Sequence, residues 1–257
     1  MIIAVDIGNS SINIGYFADR GLVVQKIETH PKKSAEGYAA FIGTFMSQNH
    51  IEKKRFSVII SSVVSGYAAV LEETFRRLSA KEAIDILTVS NKMNSGLRFE
   101  IRNPEELGTD RIANAAAAWE RYKSPVAVVD VGTATTITVI GKHANFIGGA
   151  IMPGLGLMNE VLERRTSRLK GIVLESPASA LGKDTAGSIR SGLFYGTAGA
   201  IERILSEIGR ETDAQFTIVI TGGYGQVVDK FIEQPHEINP NLTLEGLKIL
   251  YEKNRPS

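Results

Sequence analysis

The chain opens on a short apolar run rich in β-branched residues, Ile2-Ile3-Ala4-Val5-Asp6-Ile7. Gly8-Asn9-Ser10-Ser11 follows with the chemistry of a tight turn, and Ile12, Ile14 and Tyr16 then alternate with smaller or polar residues. This pattern predicts a β-hairpin, and Leu22 to Ile27 predicts a third strand. Between residues 34 and 49, Tyr38, Phe41, Ile42 and Phe45 fall at the i, i+3, i+4, i+7 spacing of an amphipathic helix. Ser57–Ser62 reads as a buried strand, residues 66–79 as a helix and Ile84–Val89 as another strand. Residues 104–122, with Pro104 in the first turn and alanines at 115–118, read as a helix.

At residue 126 the pattern begins again. Val126-Ala127-Val128-Val129-Asp130-Val131-Gly132-Thr133 repeats the order of Ile2 to Asn9: apolar strand, aspartate, β-branched residue, glycine, small polar residue. An alternating strand with Ile137 and Val139 follows, and the second turn reads one residue longer than the first. Asp6 and Asp130 lie close to half the chain length apart, which points to an internal duplication. The second half continues with a strand at Ala144–Gly149, a turn at Pro153-Gly154 and a helix over 184–208. A strand at Phe216–Thr221 ends in Gly222-Gly223, and a last helix runs from Thr243 to Lys253. No low-complexity linker separates the halves. The expectation is two α/β lobes, residues 1–122 and 123–257, joined closely with a central cleft.

Composition narrows the partners. The 257 residues include 29 basic and 28 acidic side chains, a net charge of +1, with no electrostatic excess to draw nucleic acid or an anionic membrane. Any phosphate site must therefore be local, built from backbone N–H groups and a few side chains. The absence of cysteine rules out disulfides, thiolate nucleophiles and cysteine-ligated metals. The first residues lack the basic leader and long apolar core of a signal peptide, and no apolar run reaches the roughly 20 residues of a membrane span. A cytoplasmic protein is expected.

A strand ending in Asp–x–Gly–(Asn/Thr) before a hairpin suits a phosphate cradle. Glycine lets the backbone approach an anion, the turn aims N–H groups at it, and small polar side chains add donors. The aspartate can hold a phosphate-bridging cation, usually Mg²⁺ through water. One such turn is more often structural; two copies resemble the actin, sugar-kinase and heat-shock ATPase superfamily, here at Asp6–Asn13 and Asp130–Thr136. Other nucleotide motifs are missing: Gly182-Lys183 is followed by Asp184, so there is no P-loop, and no G-x-G-x-x-G opens a helix after the first strand. His30, His50, His143 and His236 are scattered without metal-ligand spacing, and no G-x-S-x-G elbow occurs. Asp110-Arg111, just after Gly108-Thr109, pairs an acid with a base: the carboxylate can accept an alcohol proton and the guanidinium can grip an anion. On chemistry alone an exposed ion pair on a helix face is the favoured reading.

The combination of motifs resembles the type III pantothenate kinases. It comprises Asp6-Ile-Gly-Asn-Ser, Leu107-Gly-Thr-Asp110-Arg111, Asp130-Val-Gly-Thr-Ala-Thr-Thr and Gly148-Gly-Ala-Ile-Met-Pro-Gly154, then Gly182-Lys-Asp-Thr185, Ser191-Gly-Leu-Phe-Tyr-Gly196, Thr221-Gly-Gly223 and Leu242-Thr-Leu-Glu-Gly-Leu247. The resemblance runs along nearly the whole chain in order. It implies a duplicated ribonuclease-H-like, actin-like ATPase fold and phosphorylation of pantothenate by Mg-ATP, the first step of coenzyme A synthesis. It implies Asp110 as proton acceptor and Gly108, Thr109, Asp110, Arg111 and Thr185 as pantothenate-binding positions. Asp6, Ile7, Gly8, Asn9, Ser10, Ser11, Ile12 and Asn13 match the first ATP loop, with Asp6 toward Mg²⁺, and Thr133 matches a second ATP contact. Asp130 matches the ligand of a monovalent cation, K⁺ or NH₄⁺, and the family's habit implies a homodimer. The chain departs from the pattern at Ile101-Arg102, where members carry Tyr-Asp with the tyrosine in the pantothenate pocket, and at Thr109 and Asp184, where Ala and Asn are common. Ile101 leaves open an altered pocket, a different small alcohol, or packing taken over by Phe99. A regulator that kept the fold without the activity is the alternative from another class.

Overall fold

The computed structural model describes residues 1–18, 21–51, 56–79, 84–165 and 171–255. The chain divides into two compact units. The first comprises residues 1–97, 102–117 and 242–257; the second comprises 98–101 and 118–241.

The first unit is built on a five-stranded sheet in the order β3-β2-β1-β4-β5. Its strands are β1 (Ile2–Ile7), β2 (Ser11–Ala18), β3 (Gly21–Glu28), β4 (Ser57–Ser62) and β5 (Ile86–Thr88). The β1-β2-β3 meander is antiparallel, whereas β4 runs parallel to β1, and β5 parallel to β4. Strand alternation sends Ile3, Val5 and Ile7 to one face, where they pack with Tyr38, Ile42 and Met46 of α1 (Ala35–Gln48) and Leu71 and Phe75 of α2 (Tyr67–Leu78). The N-terminus of α1 is fixed by Ser34, whose side chain accepts a hydrogen bond from the Gly37 N–H.

One expected helix is two elements. Pro104–Glu106 form a single 3₁₀ turn, and α3 begins only at Thr109, running to Tyr122. The break is at Leu107, which is extended (φ −70°, ψ 127°) and buried. Burying that apolar side chain turns the backbone out of helical geometry just before Gly108. The closing helix α7 (Leu242–Asn254) belongs to this unit although it lies at the end of the chain. Its Gly246 lies so close to the Ala113 carbonyl of α3 that no Cβ would fit, and Thr243 donates to Asn114 at 2.8 Å.

The second unit repeats the plan. Its sheet runs β11-β10-β7-β8-β9-β6, made of β6 (Arg98–Phe99), β7 (Val126–Val131), β8 (Ala134–Ile140), β9 (Asn145–Pro153), β10 (Thr217–Thr221) and β11 (Glu237–Ile238). Leaving out β6, the order β9-β8-β7-β10-β11 matches β3-β2-β1-β4-β5 strand for strand, with the same parallel and antiparallel pairs. Ala127, Val129, Val131, Ile137 and Val139 form one core with Leu155 of α4 (Leu155–Arg165) and Ile189, Phe194 and Ile201 of α5 (Thr185–Thr212). Helix α4 went unread in the sequence, and so did the four-residue α6 (Gly225–Val228). No helix among the described residues is long and apolar enough to cross a membrane.

The two hairpins differ in the direction opposite to the one expected. Asp6 pairs with Asn13 but Asp130 pairs with Thr136, so the second turn is one residue shorter. The Gly8 N–H reaches Ser11 O at 3.0 Å, three residues on, while the Gly132 N–H closes on Ala134 O at 3.1 Å, two residues on.

Candidate functional site

In the first unit, the β1–β2 turn exposes Asn9 and Ser10, with Asp6 and Gly8 half-buried beneath them, while Ile7 and Ile12 are buried core residues. Asp6, next to last in β1, lies beside Ser61 of β4, its register partner. The Ser61 hydroxyl is fully buried and shares a 2.8 Å hydrogen bond with the Thr109 hydroxyl at the start of α3. Gly108, Thr109, Asp110 and Arg111 are consecutive there, so one hydroxyl pair ties the strand next to Asp6 to the helix turn that carries Asp110. The structure thus brings the first turn and the 108–111 segment into one unit.

Asp110 sits in the first turn of α3, where a helix favours negative charge. Its Oδ1 accepts from the Arg111 N–H at 2.8 Å, and a Cβ at position 108 would lie 2.5 Å from that oxygen. Glycine at 108 therefore keeps the carboxylate uncrowded. Burial pushes the Arg111 guanidinium below its ordinary value, and the adjacent Asp110 carboxylate pulls it back up.

In the second unit, half-buried Asp130 is next to last in β7, opposite Thr221 of β10. Gly222 follows in the left-handed region (φ 91°), and a Cβ there would collide with Asp130 Oδ1 and the Val131 N–H. The Tyr224 N–H donates to Val131 O at 2.9 Å and the Gly154 N–H to Thr133 O at 3.0 Å, so two other segments lock this turn. Thr133 itself is exposed. Thr185 opens α5 behind Asp184, whose side chain caps the helix by accepting from the Gly187 N–H at 2.6 Å. It lines an open cavity of about 350 Å³ with Leu162, Ser188, Ile189, Gly192 and Leu193.

Both aspartates fit the cations assigned to them. Mg²⁺ takes one or two carboxylates and fills its remaining positions with phosphate oxygens and water, so a single half-exposed strand-end carboxylate such as Asp6 is a sufficient protein ligand. At Asp130 the half-buried carboxylate, packed close against Gly222, offers an oxygen ligand to a monovalent ion. Among the described residues no three acidic or imidazole side chains converge on a point, so neither site is a closed protein cage.

Ile101 lies in the second unit just beyond β6, and the Phe99 ring packs against Phe146 with centroids 5.8 Å apart. Sequence reasoning missed Ser61. The only available signal was its place at the polar end of a buried strand parallel to the Asp6 strand.

Solved structures share this architecture. A Baf family protein from Campylobacter jejuni aligns with a TM-score of 0.60 over 97% of each chain at 20% identity. MreB5 of Spiroplasma citri, bound to AMPPNP, aligns with a TM-score of 0.53 over 98% of this chain and 96% of its own at 11% identity. The fold is the duplicated ribonuclease-H-like fold of the actin-like ATPases. The family model described as type III pantothenate kinase matches residues 2–207. A type III pantothenate kinase of Anaeromyxobacter dehalogenans (strain 2CP-C) is 35% identical over 259 residues, covering 99% of this chain and 100% of the relative. The chain belongs to the type III pantothenate kinase family.

Proposed function

We propose that the protein transfers the γ-phosphoryl group of ATP to the primary hydroxyl of pantothenate, the first step of coenzyme A biosynthesis, with Asp110 accepting the hydroxyl proton. One observation carries the assignment of Asp110: its helix turn is tied through the Thr109–Ser61 hydroxyl pair to the strand beside the Asp6 turn. Phosphoryl transfer needs positioning above all, because its loose transition state leaves the protein little covalent work. A base and a phosphate turn held on the same unit meet that need.

In this reading the exposed turn of Asn9 and Ser10 offers backbone N–H groups and short polar side chains to the phosphates. Asp6 would hold Mg²⁺, which supplies positive charge to the phosphate oxygens. Arg111 grips the pantothenate carboxylate with Gly108 and Thr109 beside it, and Thr185, in the second unit, is the remaining pantothenate-binding position. Thr133 adds an ATP contact from the second turn, and Asp130 would hold K⁺ or NH₄⁺.

The same reading includes a homodimer. The outward face of α5 carries Gly192, Gly196 and Gly199 with open space above each, beside exposed Tyr195. Leu157 and Val161 of α4 are also exposed, and such an apolar face with glycine gaps suits close approach of a second copy.

The test is ATP consumption by the purified protein with and without pantothenate, in K⁺ and then in Na⁺ buffer. Pantothenate-dependent turnover that needs K⁺ supports substrate and cation site together. ATP binding without pantothenate-dependent turnover would overturn the substrate assignment and direct attention to Ile101.

A further inference from the structure

The β1–β2 turn owes its shape to a residue outside it. Thr29 follows the last residue of β3, and its flanking residues Glu28 and His30 are exposed, yet Thr29 is fully buried. All three of its polar groups are engaged. Its hydroxyl donates to Gly8 O at 2.7 Å, its N–H donates to Ser10 O at 3.2 Å, and its carbonyl accepts from the Tyr67 hydroxyl at 2.9 Å. Tyr67 is itself buried and is the first residue of α2.

Two of these bonds grip alternate carbonyls of the turn, and that has a directional consequence. A trans peptide is planar, with its C=O and N–H pointing in opposite directions. Holding Gly8 O and Ser10 O toward Thr29 therefore aims the N–H groups of Asn9 and Ser11 the other way. Without the hydroxyl, the Gly8 peptide loses the bond that fixes its plane, and the Asn9 N–H is free to swing. A β-branched side chain suits the task, because its χ1 is restricted and the donor stays in place.

We infer that Thr29 is a positioning residue for nucleotide phosphate: by holding the Gly8 and Ser10 carbonyls, it orients the turn's N–H groups for the anion. Tyr67 backs it by holding the Thr29 carbonyl. The inference rests on the reading of Gly8–Ser11 as the phosphate turn. It predicts that losing the Thr29 hydroxyl weakens binding of phosphates and leaves binding of the nucleoside alone.

The experiment measures dissociation constants for AMPPNP with Mg²⁺ and for adenosine, by calorimetry, in wild type, Thr29→Val and Thr29→Ser. Thr29→Val keeps the shape and removes the donor. It should weaken AMPPNP by about tenfold, the cost of one buried hydrogen bond, and change adenosine affinity and the KM for pantothenate by less than about twofold. Thr29→Ser restores the donor and should bring AMPPNP back to within about threefold of wild type. Equal AMPPNP affinity in wild type and Thr29→Val overturns the inference, as does an equal loss for AMPPNP and adenosine. If Thr29→Val does not fold, Tyr67→Phe carries the test, with a selective AMPPNP loss of about two- to threefold expected and no selective loss overturning it. Gly8→Val separates the inference from the reading beneath it. If Gly8→Val also keeps wild-type AMPPNP affinity, the phosphate-turn reading falls; if Gly8→Val loses affinity and Thr29→Val does not, only the Thr29 role falls.

Discussion

The β1–β2 and β7–β8 hairpins descend from one pattern and now differ in what their surroundings do to them. Each strand pair ends in an aspartate, and each aspartate has a parallel neighbour, Ser61 for Asp6 and Thr221 for Asp130. The first turn is the longer one, presents Asn9 and Ser10 to solvent, and is held from below by Thr29. The second is shorter and is hemmed in by Gly154 and Tyr224, with Gly222 pressed against the carboxylate. The neighbours diverge as well: Ser61 reaches out to Thr109 and the helix of Asp110, whereas Thr221 leads into a glycine that packs directly against Asp130. The flanking residues of a duplicated scaffold thus set the two copies apart, and in the proposed reading one serves an anion and a proton acceptor while the other holds a cation at a closely packed carboxylate.

The largest test of that contrast is Asp110→Asn. If the first unit carries the base, turnover should fall by roughly 10²–10⁴-fold, the usual worth of a positioned acid or base. AMPPNP affinity should change little, because the phosphate turn is untouched. Single-turnover phosphorylation with a titration of AMPPNP checks both, and wild-type-like turnover would remove Asp110 from the role. Arg111→Ala comes next. Losing a charge-assisted contact worth roughly 1.5–3 kcal/mol should raise the KM for pantothenate by about ten- to a hundredfold. The KM for ATP should stay within about twofold, and an equal rise in both would place Arg111 in general architecture.

Much of this was legible in the residues. The strand–Asp–x–Gly–strand repeat announced both hairpins, because alternation and turn glycines are local signals that need no tertiary partner. The duplicated sheet followed from that repeat. The helix over 104–122 misled, because Pro104 suits a first helical turn, the alanine run is a good helix former, and nothing local shows that Leu107 must turn inward. Helix α4 escaped because only Leu155 at its start is fully buried, Met158 and Leu162 pack on the core half-buried, and exposed Leu157 and Val161 blur the apolar stripe. Thr29 and Ser61 were invisible for a related reason. A single hydroxyl at a strand end has no periodicity, and only the fold brings it to a turn 21 residues away or a helix 48 residues away.

The second hairpin has its own test. Asp130→Ala should raise the K⁺ concentration for half-maximal activity by about tenfold or more, the scale of one lost charge-assisted ligand. Gly222→Ala should act in the same direction by displacing the carboxylate, since the new Cβ would collide with Asp130 Oδ1. Titration of activity with KCl at constant ionic strength reads both. Loss of K⁺ response in Asp130→Ala alone would mean the packing of Gly222 on the carboxylate is not part of the site, and an unchanged response in both would break the contrast between the hairpins.

The smallest effect sharpens the comparison most, because it tests the link that only the first copy has. Ser61→Ala removes one partner of the Ser61–Thr109 hydroxyl pair and leaves the Thr109 hydroxyl without it, which should cost about 1 kcal/mol of order at the start of α3. If that order positions Asp110, kcat should fall by roughly two- to fivefold while AMPPNP affinity stays put. Removing both hydroxyls in Ser61→Ala/Thr109→Ala leaves no orphaned donor, so the double variant should lose less than the two single losses combined. A double-mutant cycle on kcat reads the coupling directly. Strict additivity would mean the two hydroxyls act separately and that β4 does not steer the base; a coupling with no counterpart at Thr221 would fix the difference between the two halves on one hydrogen bond.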